Sequence, residues 1–454
     1  MVRFRGGLGE YVLLNTVTAL RELLMTRAYD FEKPRAVEFF LTKVIGDGLV
    51  TARGERHKRE RRLLRPIFSV EKNKSVCPVF WSQAKKSVEE MEKLIDKTAN
   101  SLANGEHGQN LIWSSPIDVS EWADRLVLEG LGRAAMGASF HALDSQISPV
   151  YDSYRLIMRS SGMLDLILMT AMPILSERVV DWLDSCLLRP ARGAKRSVLR
   201  DSCASWVAER RTKKYLEAET HTTETCAFAE VLDLNEFSGN DTIIVDHIRT
   251  FLSTGTQTTA TTLTWAIYAM CRYPDVQSRL RRELRSNLSP YLQNTRGISY
   301  DALSGLPYLQ AVCSEVFRYF PALRRTVRQA ITNTTLGGKF IPKGTKVYIP
   351  IHLFNRDENL WGKHAGNFNP ERWLGDENGG CSTMYANMTF LQGPRNCIGQ
   401  QLARIQFATI LAVWVAELEF EFEDGETNDE EIEDVQGAVL NVPKDFNVKV
   451  RRCC

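Results

Sequence analysis

Apolar residues recur at helical spacing over much of this chain, and short alternating stretches lie near its two ends and around residue 350. An apolar residue every three or four positions indicates a helix, whereas strict alternation indicates a half-buried strand. The pattern predicts helices over Val17–Ala28, Ser82–Ala103, Ile117–Met136, Asp246–Tyr273 and Leu309–Phe320, with others between residues 149 and 215. It predicts strands within Val2–Asn15 and over Lys346–Pro350, Leu418–Phe422 and Phe446–Val450, and polar loops over His221–Asn240 and in the acidic stretch up to Asp434.

The stretch 390–399 combines a turn with one cysteine just before a long apolar segment. Gly393-Pro394 is a turn pair, and neither Gly nor Pro occurs over residues 400–424. We therefore expect a loop that leads Cys397 to the start of a helix buried on most sides. The free N–H groups and the positive dipole end at a helix start favour thiolate over thiol. Arg395, two residues earlier, adds a fixed positive charge.

A single thiolate at the end of a buried helix suits a metal that takes one ligand from the protein. Tetrahedral zinc does not fit, because it requires three or four protein ligands. Haem iron fits, because it needs one strong axial donor, and a thiolate in that place promotes cleavage of the O–O bond. The alternative is a buried structural cysteine, which is the usual state of a free Cys.

The fixed positions of this loop carry a resemblance to a known family. The signature F-x-x-G-x-R-x-C-x-G of the cytochrome P450 family is matched at every fixed position, by Phe390, Gly393, Arg395, Cys397 and Gly399. The loop thus resembles the haem-binding loop of that family. The resemblance implies haem b as cofactor, with Cys397 as the axial ligand of the iron.

Three further motifs follow the family's order, so the resemblance covers nearly the whole chain, from Val2 to Val450. The fold that it implies is mainly α with a small β portion, and the chain 1–454 is expected to form a single haem domain. The style of the motifs is similar to fungal members of the family.

The helix predicted over residues 246–273 contains a glycine where helices rarely carry one. A glycine inside a helix costs about 1 kcal/mol relative to alanine. In the resembled family this helix crosses the distal face of the haem with the pattern A/G-G-x-D/E-T-T. Gly255 would leave room for dioxygen, and Thr258 would help to deliver protons for O–O cleavage. Gln257 replaces the usual acid and Thr254 the usual first small residue. An amide orients water but cannot hold and release a proton as a carboxyl group does, which puts the proton relay in doubt.

Threonine-rich buried helices also occur for structural reasons, because their hydroxyls bond back to the carbonyl four residues earlier. We expect Thr258 to act as the relay hydroxyl because of its place opposite Cys397 in the resembled family.

A short basic helix is predicted from Gly54 to Pro66, where proline stops it. His57 and Arg61 stand at i,i+4 on one face, and the resemblance implies that they bind a haem propionate. Arg328 stands where relatives place a second propionate-binding arginine. The other basic residues of this helix suit docking of an acidic redox partner, although a solvated charged face is the alternative: Arg56, Lys58, Arg59, Arg62 and Arg65.

Glu315 and Arg318 form the family's E-x-x-R motif, and their i,i+3 spacing lets them pair on one helix face. The third member of the family's clamp resembles Arg372, in the segment 368–373. The motif alone occurs by chance in most proteins, and its order before the cysteine loop is what counts. The resemblance implies that one carboxylate between two guanidinium groups fixes the loop before the haem ligand.

Composition narrows the class of protein. The net charge of +2 argues against bulk nucleic-acid binding. Ten cysteines are scattered along the chain without C-x-x-C spacing, which favours a reducing compartment over a disulfide framework. We expect a protein of the cytoplasm or of the cytosolic face of the endoplasmic reticulum.

A membrane anchor is not predicted at the start of the chain. Spanning a bilayer takes about 20 apolar residues, and the first residues contain no such run. Relatives from eukaryotes usually carry an anchor helix, so either this form is soluble or peripheral, or the start of the protein lies outside the sequence. The apolar run Gly162–Leu175 is interrupted by Asp165 and Pro173 and suits the core or a peripheral contact with a membrane.

The resemblance implies a haem-thiolate monooxygenase that inserts one atom of O2 into an apolar small molecule, in secondary or xenobiotic metabolism. Its electrons would come from NADPH through a cytochrome P450 reductase. One alternative is a haem-thiolate isomerase, dehydratase or peroxygenase that needs no reductase, which the replacement of the acid by Gln257 motivates. The other is a haem-binding protein without catalytic activity.

Overall fold

The computed structural model describes residues 1–6, 9–102, 113–144, 148–159, 179, 182, 198–212, 229–232, 237, 240–293, 297–376, 378–423, 434–436, 440–443 and 446–453. Within them the fold is mainly α with a small β portion, as predicted. The longer helices are α1 (Arg35–Ile45), α2 (Gly54–Leu64), α3 (Cys77–Leu102), α4 (Val119–Leu131), α5 (Pro149–Arg159), α6 (Asp241–Arg272), α7 (Pro274–Leu292), α8 (Pro307–Tyr319) and α9 (Gln400–Glu417). Residues 198–212 are also helical, and shorter helices span Val17–Arg21, Val70–Ser75, Ala229–Leu232, Tyr300–Ser304, Ile351–Asn355 and Glu358–Trp361.

Twelve short strands form two small sheets and two hairpins in the described part of the chain. One sheet has the order β1-β2-β8-β5-β3, in which only β2 and β8 are parallel. The other has the order β4-β12-β9, and β6-β7 and β10-β11 are antiparallel hairpins. The strands are β1 (Val2–Gly6), β2 (Gly9–Leu13), β3 (Phe31–Glu32), β4 (Ile117–Asp118), β5 (Thr326–Ala330), β6 (Thr334–Leu336), β7 (Lys339–Ile341), β8 (Lys346–Ile349), β9 (Leu418–Phe422), β10 (Asp434–Gln436), β11 (Asn441–Pro443) and β12 (Asn447–Arg452).

Helices α6 and α9 form the centre of the main hydrophobic core. Twelve consecutive residues of α9, from Ile405 to Ala416, are buried, so this helix is covered on every side as its sequence predicts. Helix α6 packs along α4, and α9 packs along α3. A second cluster of buried residues joins the five-stranded sheet to the helix Val17–Arg21.

Several element boundaries differ from the sequence prediction for local reasons. Helix α6 begins five residues earlier than predicted, because the Asn240 side chain accepts the Ile243 N–H and caps it. The predicted helix 117–136 divides into β4, α4 and a π-helical turn over Gly132–Met136. Asp118 caps α4 through the N–H groups of Ser120 and Glu121.

The loop predicted over 221–240 contains one helical turn, Ala229–Leu232, so that part of the prediction is wrong. The apolar run 162–175 and most of the acidic stretch before Asp434 lie outside the described residues. Among the described residues, no helix is both long and apolar enough to cross a membrane.

Candidate functional site

The loop 390–399 folds into a compact turn that ends at Cys397. Phe390 O accepts the Cys397 N–H at 2.9 Å, and a 3-10 turn spans Gly393–Arg395. Gly393 has a φ of +82°, and a Cβ atom there would lie 2.0 Å from Leu24 O. Only glycine fits, because the backbone of the N-terminal segment packs directly against the loop. Helix α9 begins at Gln400, three residues after the cysteine.

The thiol of Cys397 opens onto a large cavity and has a raised pKa. Burial is the main cause and outweighs the hydrogen bond from the Gly399 backbone and the charge of Arg61, which both lower the pKa. The backbone N–H at the helix start thus lowers the pKa as predicted, but desolvation outweighs it in the protein without a metal. A coordinating metal ion deprotonates a thiol outright, so the raised pKa is compatible with a thiolate ligand.

The cavity has a volume of about 1280 Å³ and brings together residues that are far apart in sequence. The cysteine loop lines it, and so does the middle of α6, from Phe251 to Thr262, together with the apolar face of α1. Its size falls at or above the upper end of the range for small-molecule sites, about 300–1000 Å³. It has room for a large cofactor and an organic substrate together.

The hydroxyls of successive threonines on α6 bond back along the helix. Thr254 Oγ1 donates to Thr250 O at 2.6 Å, Thr258 Oγ1 to Thr254 O at 2.8 Å, and Thr262 Oγ1 to Thr258 O at 2.8 Å. These bonds are the structural role of threonine that the sequence analysis gave as the alternative to proton delivery. Thr258 nevertheless lines the cavity, and its hydroxyl oxygen retains lone pairs that accept a hydrogen bond.

Gln257 lies beside Thr258 on the cavity wall and has a partner that the sequence did not reveal. Tyr154 of α5 donates its hydroxyl to Gln257 Oε1 at 3.0 Å, and the tyrosine side chain is fully buried. The amide that replaces the family's acid is therefore held by a second helix.

Gly255 also lines the cavity, but the packing of α4 against α6 gives this glycine a second explanation. A Cβ atom at position 255 would lie 3.0 Å from Leu131 Cδ1. The contact is tight, although it involves the flexible end of the leucine side chain. Space for dioxygen thus remains a prediction for Gly255.

Five basic side chains line one region of the cavity. His57 accepts or donates one hydrogen bond with Tyr29 through Nδ1 at 3.2 Å. Arg61 donates to Asn396 O at 2.7 Å and also bonds the Asn396 side chain. Arg328 donates to Val327 O at 2.9 Å and to a neighbouring threonine hydroxyl. The other two members of this group, which we call the cationic wall, are Lys33 and Arg395.

The pKa values of the cationic wall are lowered mainly by burial, and repulsion between its members adds to the effect. Burial, followed by the charges of the nearby arginines and lysine, lowers the pKa of His57 to about 3. Burial and Arg395 lower the pKa of Arg328 to about 10, and the pKa of Lys33 is also well below its ordinary value, mainly because of burial. Such a concentration of buried like charges favours an anion between them.

The carboxylate of Glu315 lies between two guanidinium groups. It is fully buried and accepts from Arg318 at 2.7 and 2.8 Å and from Arg372 Nε at 3.3 Å. The Asn369 N–H and the Trp373 indole N–H complete its hydrogen bonds, at 2.7 and 2.9 Å. A buried carboxylate with this many donors holds its partners rigidly.

Comparison with known proteins agrees with this geometry. The profile of the cytochrome P450 family matches residues 1–450. The chain belongs to the cytochrome P450 family. It is 37% identical over 454 residues to the cytochrome P450 monooxygenase sphH of Aspergillus fumigatus, covering 96% of this chain and 78% of the relative. It is 34% identical to FUM15 of Gibberella moniliformis (99% and 81%) and 32% identical to ALT8 of Alternaria alternata (99% and 82%), which are also named cytochrome P450 monooxygenases.

This P450 is accordingly a haem-thiolate monooxygenase, and its cofactor is haem held through a cysteine thiolate. The residues present fit that group. Two nitrogens of Arg395, Nε and Nη2, are buried without a hydrogen-bond partner among the described residues, and they belong to the cationic wall. Haem carries two propionate groups, which are anions of the kind that such a wall accommodates. In the described residues no three His, Cys, Asp or Glu side chains approach closely enough to bind a metal, so a multi-ligand site is not formed there.

Sequence reasoning missed three residues of this P450 site. Lys33 lies in no recognised motif, and Tyr29 and Tyr154 act through hydrogen bonds to His57 and Gln257 across 28 and 103 residues. A single sequence carries no periodic signal for such contacts. The unexplained amide at position 257 was the one hint, because a buried polar side chain requires a partner.

We expect Gly393→Ala to destabilise the protein and to lower its haem content. Alanine at a positive φ costs about 1–3 kcal/mol, and position 393 adds the overlap with Leu24 O. The comparison is Gly375→Ala, which has a φ of +87° and no atom within 4 Å of its Cβ. Urea unfolding and the haem-to-protein ratio measure both variants, and equal effects of the two substitutions would disprove the packing explanation.

We expect Glu315→Gln to destabilise the P450 by about 3–5 kcal/mol, because it leaves buried guanidinium charge without a partner. Glu371→Gln serves as the control, since Glu371 pairs with Arg279 where both side chains are nearly half exposed, and such pairs contribute about 0–1 kcal/mol. Chemical denaturation compares the two. A loss for Glu315→Gln no larger than that for Glu371→Gln would contradict the role of the buried carboxylate.

Proposed function

We propose that this protein binds haem through Cys397 and oxidises an apolar small molecule in the cavity on the α6 side. The single observation that carries the proposal is that Cys397, the middle of α6 and the cationic wall all line one cavity. Haem bound there supplies the activation of O2, so that one oxygen atom enters the substrate and the other leaves as water. The remaining tasks belong to the chain: holding the cofactor, admitting the substrate and supplying protons.

The cofactor is held from three directions in this proposal. Cys397 would bind the iron through its sulfur, and Gly393 and the Phe390 carbonyl set the shape of its loop. Phe390 itself packs on Phe317, with ring centroids 5.2 Å apart, and Gly399 joins the loop to α9. Arg61, Arg328 and Arg395 bind the propionates with their charge, His57 contributes a hydrogen bond from its ring, and Lys33 is a further basic group of the wall.

Substrate and protons enter on the other side of the cavity. Phe40, Leu41 and Val44 of α1 and Leu131 of α4 give it apolar walls, which favour an apolar substrate. Thr258 and Gln257 supply hydroxyl and amide groups that hold water molecules in line for proton transfer. The amide holds water but does not itself donate a proton, so the hydroxyl of Thr258 is the group that passes the proton on.

NADPH–cytochrome P450 reductase is the proposed electron donor, and α2 with the following turn is its proposed docking face. Arg59, Arg62 and Arg65 are exposed there and have no ion-pair partner in the described part of the chain. Arg56 differs from the sequence prediction, because it binds Asp47 and Glu60 and is not available for docking. Lys58 pairs with Glu55. A second cavity, of about 370 Å³, is lined by Arg65 and Cys397 and brings this face close to the thiolate.

The proposed location is the cytoplasm or the cytosolic face of the endoplasmic reticulum, where such a reductase acts. All seven cysteines that the structure describes are free thiols, which fits a reducing compartment. Peripheral contact with a membrane has support in the exposed apolar residues Phe4 of β1 and Phe340 of the hairpin β6-β7.

The cofactor assignment is tested by the absorption spectrum of the reduced, CO-bound protein. We expect the Soret band of a thiolate-ligated haem in the wild type and its loss in Cys397→Ala, because the axial donor is removed. Cys381→Ala, at a half-buried thiol outside the cavity, is expected to keep the band. Well-folded wild-type protein that binds no haem would refute the proposal.

The docking face is tested by reversing its charge. The test variant carries Glu in place of Arg59, Arg62 and Arg65. We expect its reductase-supported haem reduction to be slower by tenfold or more at low ionic strength. The difference from the wild-type rate should shrink at higher salt, because salt screens the charges. Arg5→Glu, on an exposed residue of β1, is the control. Unchanged rates in the triple variant would place the reductase elsewhere. Turnover with peroxide in place of NADPH and reductase is expected to be unaffected.

A further inference from the structure

The hydrogen bond between Tyr154 and Gln257 joins two helices at the cavity wall. Tyr154 is fully buried on α5, and its hydroxyl donates to Gln257 Oε1 at 3.0 Å. Gln257 lines the cavity and is half-buried. Its Nε2 has no hydrogen-bond partner among the residues that the structure describes.

The bond determines which end of the amide faces the reaction. A glutamine amide has one acceptor atom and one nitrogen with two donors, and in isolation either end can turn to a ligand. Because Tyr154 occupies the oxygen, the NH2 group is the end left for the cavity. We propose that Tyr154 is a positioning residue that holds Gln257 as a fixed hydrogen-bond donor beside the oxygen-binding region.

This inference rests on the proposed place of Gln257 near the distal ligand and adds how the amide acts there. A fixed N–H donor stabilises negative charge that develops on oxygen, as preorganised donors do in other enzymes. It does not supply the transferred proton, which moves through Thr258 or water. The donor role thus needs the amide to be held in one orientation, and a buried phenol on a neighbouring helix provides that hold.

Helix α5 offers a matched control, Tyr151. It lies one turn before Tyr154 and is equally buried, but its hydroxyl has no hydrogen-bond partner among the described residues. It is also absent from the cavity lining. Tyr154→Phe and Tyr151→Phe therefore remove the same atom from the same helix, and only the first change releases Gln257.

The probe is carbon monoxide on the reduced haem protein, observed through its C–O stretching band in the infrared. This band responds to hydrogen-bond donors beside the bound gas. We expect Tyr154→Phe to shift or broaden the band, because the amide gains rotational freedom, and Tyr151→Phe to leave it at the wild-type frequency. A wild-type band in Tyr154→Phe, or an equal change in both variants, would overturn the inference.

A second measurement follows oxygen rather than carbon monoxide. With reductase, NADPH and no organic substrate, O2 is reduced either by two electrons and two protons to H2O2 or by four electrons and four protons to two molecules of water. We expect Tyr154→Phe to raise the ratio of peroxide to water about fivefold, the factor that corresponds to one ordinary hydrogen bond. Tyr151→Phe should not change that ratio.

A double-mutant cycle with Gln257→Leu separates this inference from the proposed role of Gln257. If Tyr154 acts through the amide, adding Tyr154→Phe to Gln257→Leu changes neither the band nor the peroxide ratio further. If Tyr154→Phe has its full effect on the band and on the peroxide ratio in the Gln257→Leu protein, Tyr154 acts only through packing and the inference is overturned. If Gln257→Leu leaves the peroxide ratio unchanged but abolishes the effect of Tyr154→Phe on the band, Gln257 has no part in oxygen chemistry while the positioning by Tyr154 stands.

Discussion

The buried carboxylate of Glu315 is the interaction on which the geometry of the haem site depends. It accepts hydrogen bonds from Arg318 of α8 and from three residues of the segment 369–373, Asn369, Arg372 and Trp373. Arg318 then donates to the carbonyls of Asn355, Ala365 and Asn367. This carboxylate and its Arg318 partner thus connect α8 to the end of the helix Ile351–Asn355 and to the segment 365–373. Removing one partner of a buried charge costs about 3–5 kcal/mol, so these segments stabilise one another.

The same network reaches the cysteine loop. Asn355 donates its amide to the Arg318 carbonyl and to Thr389 Oγ1, and it accepts the Met388 N–H. Thr389 Oγ1 donates to the Phe317 carbonyl at 2.6 Å. These bonds hold the residues just before Phe390, so the cysteine loop begins at a fixed position. The direction of Cys397 is therefore decided by atoms that lie well outside the signature motif.

Local features of this protein were largely predictable from its sequence. The long apolar helix after Gln400, the alternating strand at Leu418–Phe422 and the family motif around Cys397 each depend on neighbouring residues, and each was identified. Features that depend on distant residues were not. A single sequence does not show the contacts behind three features of the site. These are the hydrogen bond between Tyr154 and Gln257, the place of Lys33 in the cavity wall, and the ion pair of Arg56 with Asp47. For Cys397 the local argument identified the backbone N–H that lowers the pKa, but not the larger desolvation that raises the pKa of the thiol without a metal.

The contact between Gly393 and the carbonyl of Leu24 links the haem loop to the N-terminal segment. Positions 24 and 393 therefore constrain each other during evolution, although 369 positions separate them. A recombinant protein that joined the first residues of one relative to the catalytic half of another would succeed only where both parents place that backbone alike. The beginning of the chain is thus a natural place to look for incompatibility when members of this family are shuffled.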